Sequence, residues 1–84
     1  MLTYETLVRS ENLTCFACPV LYEGVTVHGD TFYFRLRHGS ARLVFNEDTS
    51  YERRASMNAI NGLDGVCSYE EYKKMFMMLF RRLA

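Results

Sequence analysis

Three cysteines are the residues of this sequence best suited to chemistry, and two of them form a CxxC motif. Cys15 and Cys18 have the spacing of zinc ligands or of a thiol redox pair, and Cys67 lies far from them along the chain. A closed tetrahedral zinc site would also need ligands from Cys67, His28 or His38, which occupy distant positions. A redox pair normally opens a helix, and the residues after Cys18 do not favour one. We therefore predict free thiols packed as small buried side chains, with zinc binding and redox chemistry as the alternatives.

The sequence contains no recognisable set of catalytic side chains. His28 and His38 each adjoin a turn glycine, and neither has a carboxylate or a nucleophile at a known catalytic spacing. The acidic pairs Glu47-Asp48 and Glu70-Glu71 lie at predicted helix starts, where the helix dipole accounts for them. We therefore expect a binding protein rather than an enzyme, with no catalytic residues, no metal and no cofactor.

The length and charge of the chain limit its function further. Its 84 residues, 49% apolar and 14% aromatic, are enough for a single α+β domain over residues 1–84. The formal net charge is zero, whereas dedicated nucleic-acid binders usually carry a strong basic excess, and no attraction to an anionic membrane is expected. The sequence shows neither a signal-peptide pattern nor an apolar run long enough to span a bilayer. We therefore expect a cytoplasmic protein.

The strongest structural signal is an antiparallel β-meander over residues 24–46. Gly29-Asp30 and Gly39-Ser40 separate runs of β-branched and aromatic residues, and both fit two-residue hairpin turns. A two-residue turn at each site would place these residues directly opposite one another on neighbouring strands: Val27 and Phe32, Val25 and Phe34, Leu36 and Leu43, Phe34 and Phe45, and Arg37 and Arg42. The apolar members of these pairs share one face. An edge strand within residues 13–22 would extend the sheet to four strands.

Two C-terminal helices are predicted to cover the apolar face of the meander. Ser68 and Glu71 form a capping box ahead of apolar residues at helical spacing, which predicts the second helix. Thr49 and Glu52 have the same capping spacing, which predicts the first helix over residues 50–61.

A short N-terminal helix within residues 3–11 completes the predicted fold, because Tyr4, Leu7 and Val8 have helical spacing. The predicted class is therefore α+β. It consists of an antiparallel β-meander of three to four strands, packed on one face by two C-terminal helices.

The other face of the meander is predicted to be basic, with Tyr33, Arg35, Arg37 and Arg42 upon it. Like charges directly opposite one another destabilise a sheet unless something neutralises them. Tyrosine and arginine are enriched at protein interfaces, and arginine also binds phosphates. We predict that these four residues bind a protein partner with an acidic surface. The alternatives are nucleic acid on the same face, or a solvated face whose arginines pair with Glu23 or other nearby acids.

The last helix offers a second candidate surface. Residues 75–80 are all apolar, although a helix lying on one sheet buries only one stripe of side chains. Met77 and Phe80 fall outside that stripe. They either pack against the N-terminal segment or form an exposed patch for a partner or for a second copy of the chain, as in a homodimer.

In general appearance the whole chain resembles the small inhibitors encoded by phages and mobile elements, including anti-CRISPR proteins. The resemblance lies in the short length and the lack of an active-site pattern, and not in a shared motif. Such inhibitors occlude a surface of a larger host complex, and acidic members imitate nucleic acid. This chain departs from the acidic members because it is neutral and has a basic strand face. The resemblance therefore implies an inhibitor or regulator that binds a protein surface of a CRISPR-Cas or other nucleoprotein complex.

Overall fold

One antiparallel sheet with a helix across one face forms the fold in a computed structural model that describes residues 2–84. The sheet has five strands in chain order, β1-β2-β3-β4-β5. The elements are α1 (Tyr4–Leu7), β1 (Val8–Phe16), β2 (Val20–Thr26), β3 (Thr31–Arg37), β4 (Ser40–Phe45), β5 (Arg53–Asn58), a 3₁₀ turn (Ile60–Gly62) and α2 (Tyr69–Leu83). The α+β class and the antiparallel meander are confirmed. The predicted numbers of strands and of C-terminal helices are not, because the structure has five strands and one such helix.

Helix α2 begins where its capping box predicts. The Oγ of Ser68 accepts the N–H of Glu71 at 3.0 Å, and the Oε1 of Glu71 accepts the N–H of Ser68 at 2.9 Å. These bonds satisfy N–H groups that have no partner within a helix. Within residues 2–84, no helix is long and apolar enough to cross a membrane.

The core lies between α2 and one face of the sheet. Aromatic rings make the central contacts: Phe34 meets Tyr72 at 4.9 Å between ring centroids, and Phe32 meets Phe76 at 5.0 Å, both edge to face. The largest fully buried side chains are Tyr72, Phe34, Phe45, Phe76, Leu7, Leu36, Leu43, Met75 and Leu79. This burial holds β3 and β4 rigidly under α2 and leaves their other face uncovered by the helix.

Strand β5 occupies half of the segment predicted as a helix over residues 50–61, so that prediction is wrong. Glu52 accepts the N–H of Asp48 at 2.9 Å and stabilises a turn before the strand instead of capping a helix. The segment then pairs with β4, and Ala55 and Met57 pack against the core. Unpaired backbone groups on β4 need partners, and this requirement outweighs the weak helical pattern of the segment.

The β3–β4 turn consists of His38 and Gly39, and not of Gly39 and Ser40. Both turn residues have positive φ, 52° and 75°, as a type I′ hairpin requires. The predicted pairs across this hairpin are therefore wrong by two positions along β3, and the structure pairs Phe32 with Phe45, Phe34 with Leu43, Leu36 with Ala41, Arg35 with Arg42, and Arg37 with Ser40. Each residue of β4 moves by two positions along β3, so the predicted core face of both strands is preserved.

The β2–β3 loop is four residues long, residues 27–30, and its length reverses the predicted faces of β2. Tyr22, and not Val25, lies opposite Phe34. Thr26, which alternates with the predicted core residues Val25 and Val27, is 1% exposed, and its Oγ1 accepts two loop N–H groups at 3.3 and 3.2 Å. These two hydrogen bonds from the loop to Thr26 stabilise the four-residue loop. A change of one residue in register moves every side chain of a strand to the opposite face of the sheet.

The N-terminal segment forms a single helical turn and then an edge strand. Thr3 and Thr6 form the capping box of α1, so the predicted short helix is present but ends at Leu7. Strand β1 pairs with β2. Residues 13–22, predicted as one edge strand, contain the end of β1, a turn and the start of β2.

Candidate partner-binding face

The sheet face turned away from α2, here called the open face, carries all four predicted binding residues. Side chains alternate along a strand, so the buried Phe32, Phe34 and Leu36 direct their β3 neighbours to the open face. The structure accordingly brings together Tyr33, Arg35, Arg37 and Arg42. Tyr33 and Arg35 are half-buried, and Arg37 and Arg42 are exposed.

Three arginines and a serine form a two-by-two arrangement on this face, here called the arginine grid. Arg35 lies directly opposite Arg42, and Arg37 lies directly opposite Ser40. Neighbouring strands are about 4.8 Å apart, and residues on the same face of a strand are about 7 Å apart. The grid and the adjoining His38 line a cleft of ≈ 140 Å³.

The guanidinium groups of the grid have no acidic partner in the chain that the structure describes. Its ion pairs over residues 2–84 join Arg54 to Glu52 at 2.8 Å, and Lys73 to two other glutamates. Glu23 lies opposite Tyr33, and within residues 2–84 it forms no ion pair with the grid. The structure therefore does not support the alternative that nearby acids neutralise these arginines.

Arg54 is a further basic residue of the open face that the sequence prediction missed. It lies on β5 opposite Val44, and with Arg42 and Ser56 it lines a second cleft of ≈ 190 Å³. The segment was predicted as a helix, which hid this position. The alternation of Arg54 and Ser56 with the inward Ala55 is the signal that could have revealed it.

Val44 provides an apolar floor to the open face. It is only 2% exposed although no helix covers it, and it lies between Tyr33 on β3 and Arg54 on β5. Long neighbouring side chains therefore shield the sheet here. A partner would therefore meet mainly the tyrosine and arginine side chains, residue types that are enriched at protein interfaces.

Comparisons with protein-family models, with curated proteins and with solved structures find no match to this chain. The arginines must therefore be interpreted through their chemistry. A planar guanidinium donates paired hydrogen bonds to carboxylates and phosphates, and unpaired guanidiniums on a rigid sheet form a receptor for such anions.

Cys15, Cys18 and Cys67 are all free thiols in the structure. Cys15 and Cys67 are half-buried, and the prediction of buried thiols is wrong for Cys18, which is exposed. Burial, with a smaller contribution from Glu71, raises the pKa of Cys67 to about 11, which disfavours its thiolate. Within residues 2–84, no three or more His, Cys, Asp or Glu side chains are grouped so that they could hold a metal ion.

A tyrosine cluster around Glu11 lies on the core side of the sheet, and the sequence did not reveal it. The Oε1 of Glu11 accepts hydrogen bonds from Tyr4 at 2.5 Å and from Tyr69 at 2.8 Å, and Tyr4 also meets the hydroxyl of Tyr72 at 2.8 Å. Burial and the bond to Glu11 raise the pKa of Tyr69 to about 12, and burial raises the pKa values of Tyr4 and Tyr72. The cluster links the N-terminal segment to α2.

The second candidate surface offers less exposed area than its sequence suggests. Met77 is 8% exposed and belongs to the core, and Phe80 is half-buried with its ring 6.0 Å from that of Phe45. Met78 is the exposed methionine of this stretch, at 38%. Met77 and Phe80 therefore serve mainly to pack α2.

The largest cleft, of ≈ 520 Å³, lies beside the β4–β5 loop and is lined by Asp30, Tyr51 and Glu52 among others. Its two acids already have partners. Asp30 accepts a hydrogen bond from Asn46 at 2.9 Å, and Glu52 pairs with Arg54. The open face therefore presents the stronger unsatisfied chemistry.

Proposed function

We propose that this domain is a non-enzymatic protein-binding module, an inhibitor or regulator that occludes an acidic surface of a larger complex. The observation that carries the proposal is the pair Arg35 and Arg42, which lie opposite each other with no ion-pair partner within residues 2–84. A carboxylate from a partner would offset one of these charges and accept paired N–H groups from the guanidiniums. An inhibitor of the anti-CRISPR type would use this face to cover an acidic protein surface of a nucleoprotein complex.

The charge distribution supports a protein partner over nucleic acid. The net charge is zero, so the whole molecule supplies little long-range attraction to a polyanion. The open face also carries Glu23, and one of its arginines, Arg54, is already paired with Glu52. A face with few unpaired cations suits a protein surface of complementary charge.

Two potential nucleophiles outside the open face are held in their protonated forms. The pKa of Cys67 is raised to about 11 and that of Tyr69 to about 12, chiefly by burial. Both side chains are therefore protonated at neutral pH, and neither the thiolate nor the phenolate that a covalent mechanism would use is appreciably populated.

The test is charge reversal on the open face. The double variant Arg35→Glu/Arg42→Glu should bind the native partner on the order of 100-fold more weakly, because it replaces attraction to acids by repulsion. The matched control is Lys74→Glu/Arg81→Glu, which changes the net charge equally at two exposed positions of α2. Circular dichroism checks that both variants fold.

Two results would contradict the proposal. Unchanged partner binding by Arg35→Glu/Arg42→Glu would show that the open face is not the interface. Tight binding to a ten-nucleotide single strand that weakens steeply with salt and requires Arg35 would instead assign the face to nucleic acid.

A further inference from the structure

We propose that the cleft of the arginine grid is a receptor for a phosphate monoester, carried by a phosphorylated side chain of the protein partner. The inference rests on the proposed function, because it names the anion that a protein partner presents to the open face. The grid places Arg35, Arg37, Arg42 and the hydroxyl of Ser40 around one small cleft of ≈ 140 Å³.

The charge of the grid exceeds what one carboxylate can neutralise. Three guanidiniums surround the cleft, and none forms an ion pair within residues 2–84. A phosphate monoester carries about −1.5 to −2 charges at pH 7 and has three terminal oxygens that accept hydrogen bonds. A carboxylate has one charge and two oxygens. The phosphate dianion therefore matches the charge and the hydrogen-bond donors of the grid better than a carboxylate does.

The donors of the grid stand on a rigid support. Strands β3 and β4 are central in the sheet, each paired on both sides. Beneath the grid, the alternate residues Phe34, Leu36 and Leu43 are fully buried, at 0% exposure. The backbone positions that carry the three arginines are therefore fixed relative to one another, and an anion bound in the cleft has to order only their side chains.

Ser40 adds a short hydroxyl donor at the edge of the cleft. Its position opposite Arg37 follows from the tight turn of His38 and Gly39, which ends one residue before it. The Ser40 hydroxyl forms no hydrogen bond in the described part of the chain, residues 2–84, and is free to donate to a phosphate oxygen.

Acidic residues on both sides limit the site to a single phosphate. Towards β2 the open face carries Glu23, and towards β5 Glu52 neutralises Arg54 at 2.8 Å. A nucleic-acid backbone crossing the sheet would place its next phosphate beside one of these carboxylates. An isolated phosphate on a protein side chain meets no such repulsion, so the arrangement favours a phosphoprotein over a nucleic acid.

The experiment is a titration of the ¹⁵N-labelled full chain, followed by NMR at constant ionic strength. The probes are phenyl phosphate and benzoate, which share a ring and differ in the anion. We expect phenyl phosphate to shift the backbone amides of residues 35–42 and the arginine Nε–H signals, and to bind at least 10-fold more tightly than benzoate. Arg42→Gln should weaken phenyl phosphate binding about 10-fold, and Arg81→Gln, on α2, should leave it unchanged.

A second arm uses a ten-residue peptide with one phosphoserine, the same peptide with serine or glutamate in its place, and a ten-nucleotide single strand. Preference for the phosphopeptide supports the inference. Equal affinity for the phosphoserine and glutamate peptides, both dependent on Arg42, overturns the phosphate assignment and leaves the acidic-partner function standing. Tighter binding of the oligonucleotide overturns both the phosphate assignment and the acidic-partner function. Phenyl phosphate binding that does not change when Arg35 or Arg42 is substituted overturns the location of the site.

Discussion

Arg35 on β3 and Arg42 on β4 lie directly opposite each other on the open face, and neither forms an ion pair within residues 2–84. Cross-strand neighbours of like charge lower the stability of a sheet. The fold does not require this pair, because the residues beneath it are already buried in the core. An arrangement that opposes folding and presents donors to solvent is typical of a binding site, where function and stability compete.

Replacing one member of the pair should therefore stabilise the domain. We expect Arg42→Gln to raise the free energy of unfolding by about 0.5 kcal/mol, because it removes the repulsion from Arg35 without exposing the core. Urea unfolding at low salt measures the change, which should shrink at high salt as screening weakens the repulsion. Arg81→Gln is the control. A loss of stability in Arg42→Gln would mean that the pair does not repel.

The register of β2 can be tested by truncating Tyr22, within the strand, and Val27, in the loop that follows it. Tyr22 is 6% exposed and stacks on Tyr72 at 3.6 Å between ring centroids, whereas Val27 is 42% exposed. Tyr22→Ala should cost about 3 kcal/mol of folding free energy, as large-to-small core changes do. Val27→Ala should change it by less than about 0.5 kcal/mol. A larger loss of folding free energy in Val27→Ala than in Tyr22→Ala would contradict the observed register and support the one predicted from a two-residue turn.

Alkaline pH should destabilise the domain through the phenol of Tyr69 and the thiol of Cys67. The pKa of Tyr69 rises from 10.0 to about 12, and that of Cys67 from 9.0 to about 11. Because both groups ionise more readily in the unfolded chain, their contribution is complete below about pH 9 and is lost as the pH rises towards 12. Urea unfolding at pH 8, 10 and 11 should show a falling free energy. Tyr69→Phe should reduce the slope, and a flat profile would contradict these shifts.

The cysteines should differ in their reactivity. Cys18 is exposed, whereas burial raises the pKa of Cys67 and keeps it protonated at pH 8. With iodoacetamide at pH 8, we expect Cys18 to be alkylated at least about 10-fold faster than Cys67. Peptide mapping by mass spectrometry measures both rates, and urea-unfolded protein provides the control in which the difference should nearly vanish. Equal rates in the folded protein would show that Cys67 is accessible.

Much of the open face could be predicted because it depends on local periodicity. Alternation along β3 assigns Phe34 to the core and Tyr33, Arg35 and Arg37 to the other face, whichever residues lie opposite them. The error in the β3–β4 register moved β4 by two positions and therefore kept Arg42 on the correct face. The same error concealed which arginine Arg42 opposes.

The remaining features required the tertiary structure, because each depends on groups distant in sequence or on a turn that composition alone does not specify. His38 at φ 52° sets the hairpin one residue earlier than glycine placement suggests. The hydroxyl of Thr26 closes a four-residue loop and reverses β2. The free edge of β4 draws residues 53–58 into a strand and adds Arg54 to the open face. By itself, the sequence determined the faces of β3 and β4 and the capped helix α2, since alternation and capping act over a few residues. Only the tertiary structure decided which charges meet, because strand pairing satisfies backbone hydrogen bonds across the whole sheet.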